Sequence, residues 1–341
     1  MLNRQWLLAS HPTGAVERHH FALAETTVPQ APAEGCRVLL RNELLLCAPT
    51  IRNWISGNPS RYQPTVEVGQ PVMAPGVGRI VTSDDDRYPV GARLVGMVSW
   101  QDYQWAEPAG YRIVPDEVAS VDALGIFGMN ALTAYFGIME VGRPRSGQTL
   151  LVSGAAGSVG SVAAQIGRIQ GARVIGICGG SEKARWLREN CGIAEVIDYK
   201  AEDLLAQLDT LCPEGIDIFF DNVGGTLLRD VVTWMRRRGR IALCGQIATY
   251  DAAMGDPPLD MMRIIYGMIE LRGFLVSSFV DRYPTAMADL SKWNAAGLLE
   301  HREDLRDGFG QLPETFAALF DGSNTGTLIA RIAGPDGQPV R

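Results

Sequence analysis

What the sequence lacks narrows its function quickly. Four histidines are present (His11, His19, His20 and His301), and six cysteines stand at 36, 47, 178, 191, 212 and 244. No two cysteines form a CxxC pair and no Gly-His-Glu occurs, so neither a structural zinc knot nor a zinc-dependent catalytic set is expected. Cysteines scattered singly, most of them in apolar runs, exclude a disulfide framework and point to reduced, buried thiols. Positive charge is not in excess: 31 Lys and Arg stand against 38 Asp and Glu, a net charge of −7. That balance argues against nucleic acid or an anionic membrane as partner. The apolar runs are strand-sized, too short to span a bilayer. Met1-Leu-Asn-Arg-Gln-Trp lacks the apolar centre of a signal peptide, and a cytoplasmic protein is expected. Repeats and low-complexity tracts are missing too. What remains is an ordinary globular composition over 341 residues, 46% hydrophobic and 20% charged, enough for two domains.

The most informative stretch runs from Thr149 to Lys183. Thr149-Leu-Leu-Val-Ser153 reads as a strand, and Gly154, Ala155, Ala156, Gly157, Ser158, Val159 and Gly160 follow. Three glycines at every third position let the backbone turn tightly, let a pyrophosphate approach, and let a helix lie close to a sheet. Val159, Val162, Ala163, Ile166 and Ile169 follow helical spacing and predict one buried stripe. Arg173-Val-Ile-Gly-Ile-Cys178 reads as the second strand. Strand, glycine turn, helix and strand make a βαβ unit whose helix N-terminus suits the phosphates of a dinucleotide.

An NAD site places Asp or Glu at the end of that second strand, to hold the ribose hydroxyls. Here the strand ends in Cys178-Gly179-Gly180-Ser181, with Lys183 and Arg185 close behind. A missing carboxylate removes repulsion against a 2′-phosphate, and an ammonium attracts it. NADP(H) is therefore expected over NAD.

Residues 1–123 read as β-rich, with short apolar runs (Phe21-Ala-Leu, Cys36-Arg-Val-Leu-Leu, Gly78-Arg-Ile-Val, Ala92 to Val98) separated by Pro and Gly turns, as in a barrel-like domain. Residues 124–304 alternate. Strands are expected at Glu195–Asp198, Ile216–Asp221, Arg240–Cys244 and Leu271–Val276, with helices at 182–191, 201–211 and 226–238. With the βαβ unit this makes six strands, an α/β doubly wound parallel sheet. A helix from Pro313 and a strand from Leu328 are assigned, with the rest of 305–341, to the first domain.

Taken together, Asn3-Arg-Gln-Trp6, Met129-Asn-Ala-Leu-Thr-Ala-Tyr-Phe136, Ser153 to Gly160, Ile197-Asp-Tyr-Lys200, Phe220-Asp-Asn-Val-Gly-Gly225, Cys244-Gly-Gln-Ile247 leading to Tyr250, and Asp281-Arg-Tyr-Pro284 cover nearly the whole chain. In these motifs the chain resembles the zinc-independent branch of the medium-chain dehydrogenase/reductases that holds the prostaglandin reductase/leukotriene B4 dehydrogenases, plant alkenal double-bond reductases and bacterial curcumin reductase. The resemblance implies a GroES-like β-rich domain, a Rossmann domain, a homodimer, and NADPH-dependent reduction of the double bond of α,β-unsaturated ketones and aldehydes. It also implies site residues. Tyr250 matches the active-site tyrosine, whose phenol can donate to an oxyanion, pass on a proton or position the coenzyme. Lys183 and Tyr199, with Gly180 and Ser181, match the 2′-phosphate end; Asn222 matches a ribose contact. Phe274, Leu275, Val276 and Asn324 match the nicotinamide surroundings. Thr50, Arg52, Met129 and Asn130 fall in the substrate pocket.

The pocket motifs depart from the pattern. Cys47-Ala48-Pro49-Thr50-Ile51-Arg52 stands where relatives read Leu-Asp-Pro-Tyr-Met-Arg, so Thr50 replaces a tyrosine. Asn130 and Ala131 replace threonine and glycine, and Asn324-Thr-Gly-Thr327 lacks a lysine. Quinone reduction, as in the ζ-crystallin-like branch, and a non-catalytic NADPH-binding protein stay open beside enone reduction.

Overall fold

The computed structural model describes residues 1–341 except 33, 36, 59–64, 251–256 and 335–341. The chain divides into two units: Met1–Leu124 with Glu303–Arg341, and Gly125–Arg302.

The first unit is built from short strands. β1 (Leu2–Leu8) pairs antiparallel with β2 (Phe21–Thr27). β3 (Val38–Leu46) leads to a one-turn helix, α1 (Ile51–Trp54), then β4 (Met73–Ser83), β5 (Arg93–Ser99), β6 (Tyr103–Ala106), β7 (Arg112–Val114) and α2 (Ser120–Leu124). Trp6, Trp100, Phe309 and Phe316 fill its core. The expected run from Cys36 begins two residues later, at Val38, and Cys36 itself lies outside the described residues.

The second unit opens with α3 (Met129–Phe136), which runs into a wider π turn at Gly137–Gly142. Six parallel strands follow: β8 (Thr149–Val152), β9 (Arg173–Cys178), β10 (Glu195–Asp198), β11 (Ile216–Asp221), β12 (Met235–Leu243) and β13 (Glu270–Gly273). Between and after them run α4 (Ser158–Ile169), α5 (Ser181–Glu189), α6 (Leu204–Leu211), α7 (Gly225–Val231), α8 (Met261–Gly267) and α9 (Tyr283–Ala295). The sheet order is β10-β9-β8-β11-β12-β13. Side chains alternate between its faces with period two. Leu150, Val152, Val174, Ile218 and Phe220 pack with α3, α4, α5 and α9; Leu151, Ile175, Ile177, Phe219 and Ile241 pack with α6, α7 and α8. This is the doubly wound sheet expected, and the stripe of α4 lies inward as its spacing required.

One helix is shorter than its pattern. The segment expected helical over 226–238 leaves the helix after Val231. Arg238 takes φ +64°, and a Cβ on Gly239 would stand 2.9 Å from the Arg236 carbonyl oxygen. The backbone is already extended at Met235 (φ −64°, ψ 133°), so the arginines belong to β12, whose register against β11 shifts between Met235 and Arg240.

The tail returns to the first unit as β14 (Glu303–Asp307), α10 (Leu312–Asp321) and β15 (Thr327–Arg331). That unit's larger sheet runs β14-β15-β3-β4-β5-β7, with β6 on β3. Among the described residues no helix is long and apolar enough to cross a membrane.

Candidate coenzyme and active site

The order of the parallel sheet reverses between β8 and β11, which are neighbours at its centre. Loops leaving the carboxyl ends of two such strands diverge and open a crevice. The glycine turn leaves β8 there, and Asn222 leaves β11.

The turn's geometry is set by its glycines. Gly154 has φ +58°, and the Gly157 N–H donates to its carbonyl at 2.9 Å. A Cβ on Gly160 would lie 2.2 Å from the Gly154 oxygen, so the helix can start this close only with glycine. Ala155 and Ala156 are buried, and the Ala155 N–H donates to the Ile177 carbonyl at 2.8 Å, tying the turn to β9. Val159 is half-buried in the first turn of α4. The first N–H groups of a helix have no partner within it. A turn whose only side chains are two buried methyls, beside such groups, fits a pyrophosphate.

At the crevice Ser153, Asp221 and Asn222 form a network absent from the sequence reading. The Ser153 hydroxyl donates to Asp221 Oδ1 at 2.9 Å, and the Asn222 N–H donates to that hydroxyl oxygen at 2.8 Å. Asn222 Nδ2 donates to the Ser153 carbonyl at 2.7 Å. Asp221 is fully buried, which raises its carboxyl above the usual range, while N–H groups of Val223 and Gly224 and the Ser153 hydroxyl pull it back. The acid before a Gly-Gly pair at a strand end is the signal that could have found it. Tyr250 is half-buried and follows a 3₁₀ turn, Ile247–Thr249. That turn is anchored by the Ala248 N–H, which donates to the Val223 carbonyl at 3.1 Å.

The other end of the crevice lies where β9 and β10 finish. Gly180 has φ +102° and precedes α5, with Ser181 exposed and Lys183 half-buried. Tyr199 is 55% exposed. The Gly180 N–H donates to Asp198 Oδ1 at 2.7 Å, bringing the two strand ends together.

The remaining expected residues divide between the units. Phe274 packs edge-on to Phe220, ring centroids 6.4 Å apart; Leu275 is exposed and Val276 half-buried. Met129 opens α3, and Asn130 Nδ2 donates to Ser158 Oγ at 2.9 Å, beside the glycine turn. In the first unit Thr50 is half-buried at the start of α1. Arg52 is buried, and its Nη2 donates to the carbonyls of Pro12 and Gly14 at 3.1 and 3.0 Å. Asn324 Nδ2 donates to the Gly326 carbonyl at 3.1 Å. Cys47 is buried, and burial pushes its thiol up to about 12. Among the described residues no three His, Cys, Asp or Glu side chains come together as a metal site.

Comparisons with known proteins agree with this arrangement. Residues 4–114 match a family described as the N-terminal domain of oxidoreductase, and residues 158–292 one described as zinc-binding dehydrogenase. The chain is 36% identical to the NADPH-dependent curcumin reductase of Escherichia coli, over 98% of each chain. It is 31% identical to the NADP(+)-dependent 2-alkenal reductase of Nicotiana tabacum, over 97% of this chain and 98% of that one. The crystal structure of CurA from Vibrio vulnificus in complex with NADPH superposes with a TM-score of 0.91 at 35% identity, covering 96% of this chain and 98% of that one. The chain belongs to the medium-chain dehydrogenase/reductase family, in the zinc-independent branch of the curcumin, alkenal and prostaglandin reductases, and is an NADP(H)-dependent oxidoreductase.

Proposed function

We propose that this enzyme uses NADPH to saturate the carbon–carbon double bond of α,β-unsaturated ketones and aldehydes. The observation that carries this reading is full-length similarity to reductases named for curcumin and for a 2-alkenal. A 2-alkenal is an aldehyde conjugated to a double bond. The coenzyme supplies the hydride. The chain's own tasks are to hold the coenzyme, exclude water, stabilise charge on the substrate oxygen and supply a proton. In this reading Gly154, Ala155, Ala156, Gly157, Val159 and Gly160 take the pyrophosphate. Gly180, Ser181, Lys183 and Tyr199 take the adenosine 2′-phosphate end, and Asn222 a ribose. Phe274, Leu275, Val276 and Asn324 serve the nicotinamide, and Tyr250 donates to the substrate oxygen. Thr50 and Met129 shape the substrate pocket. Asn130 and Arg52 support that pocket, Asn130 through its bond to Ser158 and Arg52 through its bonds to the Pro12 and Gly14 carbonyls. NADPH oxidation measured over 2-alkenals, enones, curcumin and simple quinones tests this, with and without prior chelation. Turnover of conjugated carbonyls, insensitive to chelator, is expected. Turnover of quinones alone would replace it with quinone reduction, and coenzyme binding without any turnover with a non-catalytic NADPH-binding protein.

We also propose that two copies associate through the outer edge of the parallel sheet. β13 is an edge strand, and the nearby α8 exposes Met261, Met262, Ile265 and Tyr266, the last 75% exposed. Edge strands and apolar patches of this kind are normally covered. Sedimentation should give a dimer, and Ile265→Asp a monomer; a monomeric wild type would refute the association.

A further inference from the structure

Asp198 has been given no role in coenzyme binding so far, yet it stands at the adenosine end of the site. It closes β10, is only 8% exposed, and an acid there would repel a 2′-phosphate if its charge were free. Its charge is not free. Oδ1 accepts the Gly180 N–H at 2.7 Å and the Lys200 N–H at 3.1 Å. One oxygen thus joins the glycine loop that starts α5 to the loop that carries Tyr199. Backbone bonds extend the joint: the Tyr199 N–H donates to the Cys178 carbonyl at 3.1 Å, and the Asp198 carbonyl accepts from Ala201 and Glu202 at 3.0 and 2.9 Å. The Asp198 N–H is itself held by Glu202 Oε2 at 2.9 Å. The Cys178 thiol at the end of β9 feels both the Asp198 carboxylate and the Lys183 ammonium, so both lie around the same strand end.

We infer that Asp198 is a positioning residue for coenzyme choice, clamping the Gly180 loop and the Tyr199 loop into one cradle for the 2′-phosphate. The inference rests on the assignment of Lys183 and Tyr199 to that phosphate. The acid that an NAD enzyme places at the end of β9 is missing here; the carboxylate of Asp198, on the neighbouring strand, is turned onto backbone N–H groups. An amide oxygen can accept the same two N–H groups without the charge, which separates positioning from electrostatics.

The test is the dissociation constant of NADPH and of NADH for the wild type, Asp198→Ala, Asp198→Asn and Lys183→Ala. Asp198→Ala should weaken NADPH roughly tenfold, the loss of hydrogen bonds to a charged acceptor, while NADH changes by less than about twofold. Asp198→Asn should stay within about twofold of wild type for both. Equal weakening of both coenzymes in Asp198→Ala, or none, overturns the inference. So does an Asp198→Asn enzyme that binds NADPH as weakly as the alanine variant, or more tightly than wild type. Should the alanine variant not fold, Asp198→Ser, whose shorter side chain cannot join both N–H groups, takes its place with the same outcomes expected. Retained NADPH preference in Lys183→Ala would instead overturn the phosphate assignment itself; lost preference there beside an indifferent Asp198→Ala overturns the inference alone.

Discussion

The ring of Tyr199 lies over Gly179: a Cβ built on Gly179 would stand 2.8 Å from both Cζ and the hydroxyl oxygen of the tyrosine. Any side chain at 179, the acid of an NAD site included, collides with the ring proposed to serve the 2′-phosphate. Because Tyr199 is 55% exposed, the ring can swing away at little cost to stability. Gly179→Ala should therefore shift the melting temperature by no more than about 2–4 °C. NADPH affinity should fall roughly tenfold, the worth of a hydrogen bond to a charged group. Gly179→Asp alone should not give an NADH enzyme; Gly179→Asp with Tyr199→Ala should bring NADH affinity closer. Calorimetry of both coenzymes on the single and double variants checks this, and NADPH binding unchanged in Gly179→Ala would refute the role of the ring.

At Gly160 the collision cannot be relieved. The atoms met by a Cβ are the Gly154 carbonyl oxygen at 2.2 Å, its carbon at 2.8 Å and the Ala155 Cα at 2.9 Å, all backbone. Gly160→Ala should destabilise the Rossmann unit by about 1–3 kcal/mol, typical of an overpacked site, lowering its melting temperature by roughly 2–10 °C. Coenzyme binding should be lost with the turn. A variant that melts and binds like wild type would show that the helix can stand off the turn.

Burial sets the reactivity of the thiols. It pushes Cys47, Cys191 and Cys244 up to about 12 and Cys178 and Cys212 up to about 11. Raised values mean protonated thiols at pH 8, with at most about one in a thousand as the reactive thiolate. A colorimetric thiol titration of the native enzyme at pH 8 should find no more than one fast thiol per chain, Cys36 lying outside the described residues. The other five should appear only on denaturation. Two or more fast thiols would contradict the packing.

Local rules made the Rossmann unit legible. The glycine turn, the stripe of α4 and the strands at 173–178, 195–198 and 216–221 each follow from spacing within a dozen residues. Features that depend on distant partners were not legible. β14 reads Glu-Asp-Leu-Arg-Asp, without apolar alternation, because it is an edge strand whose Asp307 pairs with Arg331 of β15 at 2.7 Å. The start of β12 carries helix-forming arginines at 236–238, although the helix ends at Val231, and the left-handed Arg238 and the crowding at Gly239 bar a helix there. In the site, Tyr250, Lys183 and Tyr199 came from resemblance. Asp198, and the bonds from Ser153 to Asp221, join residues 18 to 68 positions apart, and no spacing rule reaches that far. Arg52 shows the same limit: nothing near it in sequence indicates that its guanidinium serves the carbonyls of Pro12 and Gly14.

Tyr250 carries the strongest claim about chemistry. Its turn hangs from β11: the Ala248 N–H is bonded to Val223, and a Cβ on Gly224 would come within 2.8 Å of Gln246 Cγ, so the two loops touch. A phenol held there can serve a developing oxyanion without moving. Tyr250→Phe removes that donor while keeping the ring. At a well-organised oxyanion site such a loss costs on the order of 2.7–4 kcal/mol, roughly 10²–10³ in kcat. If water can replace the hydroxyl, the loss should be nearer tenfold, one hydrogen bond's worth. Affinity for NADPH should fall little, because the phosphates are proposed to sit on the glycine turn and at the Lys183 end. The measurements are kcat with an enone and the NADPH Kd by fluorescence, on both proteins. An unchanged kcat would remove Tyr250 from the chemistry, and a large rise in Kd at unchanged kcat would make it a positioner of the coenzyme instead.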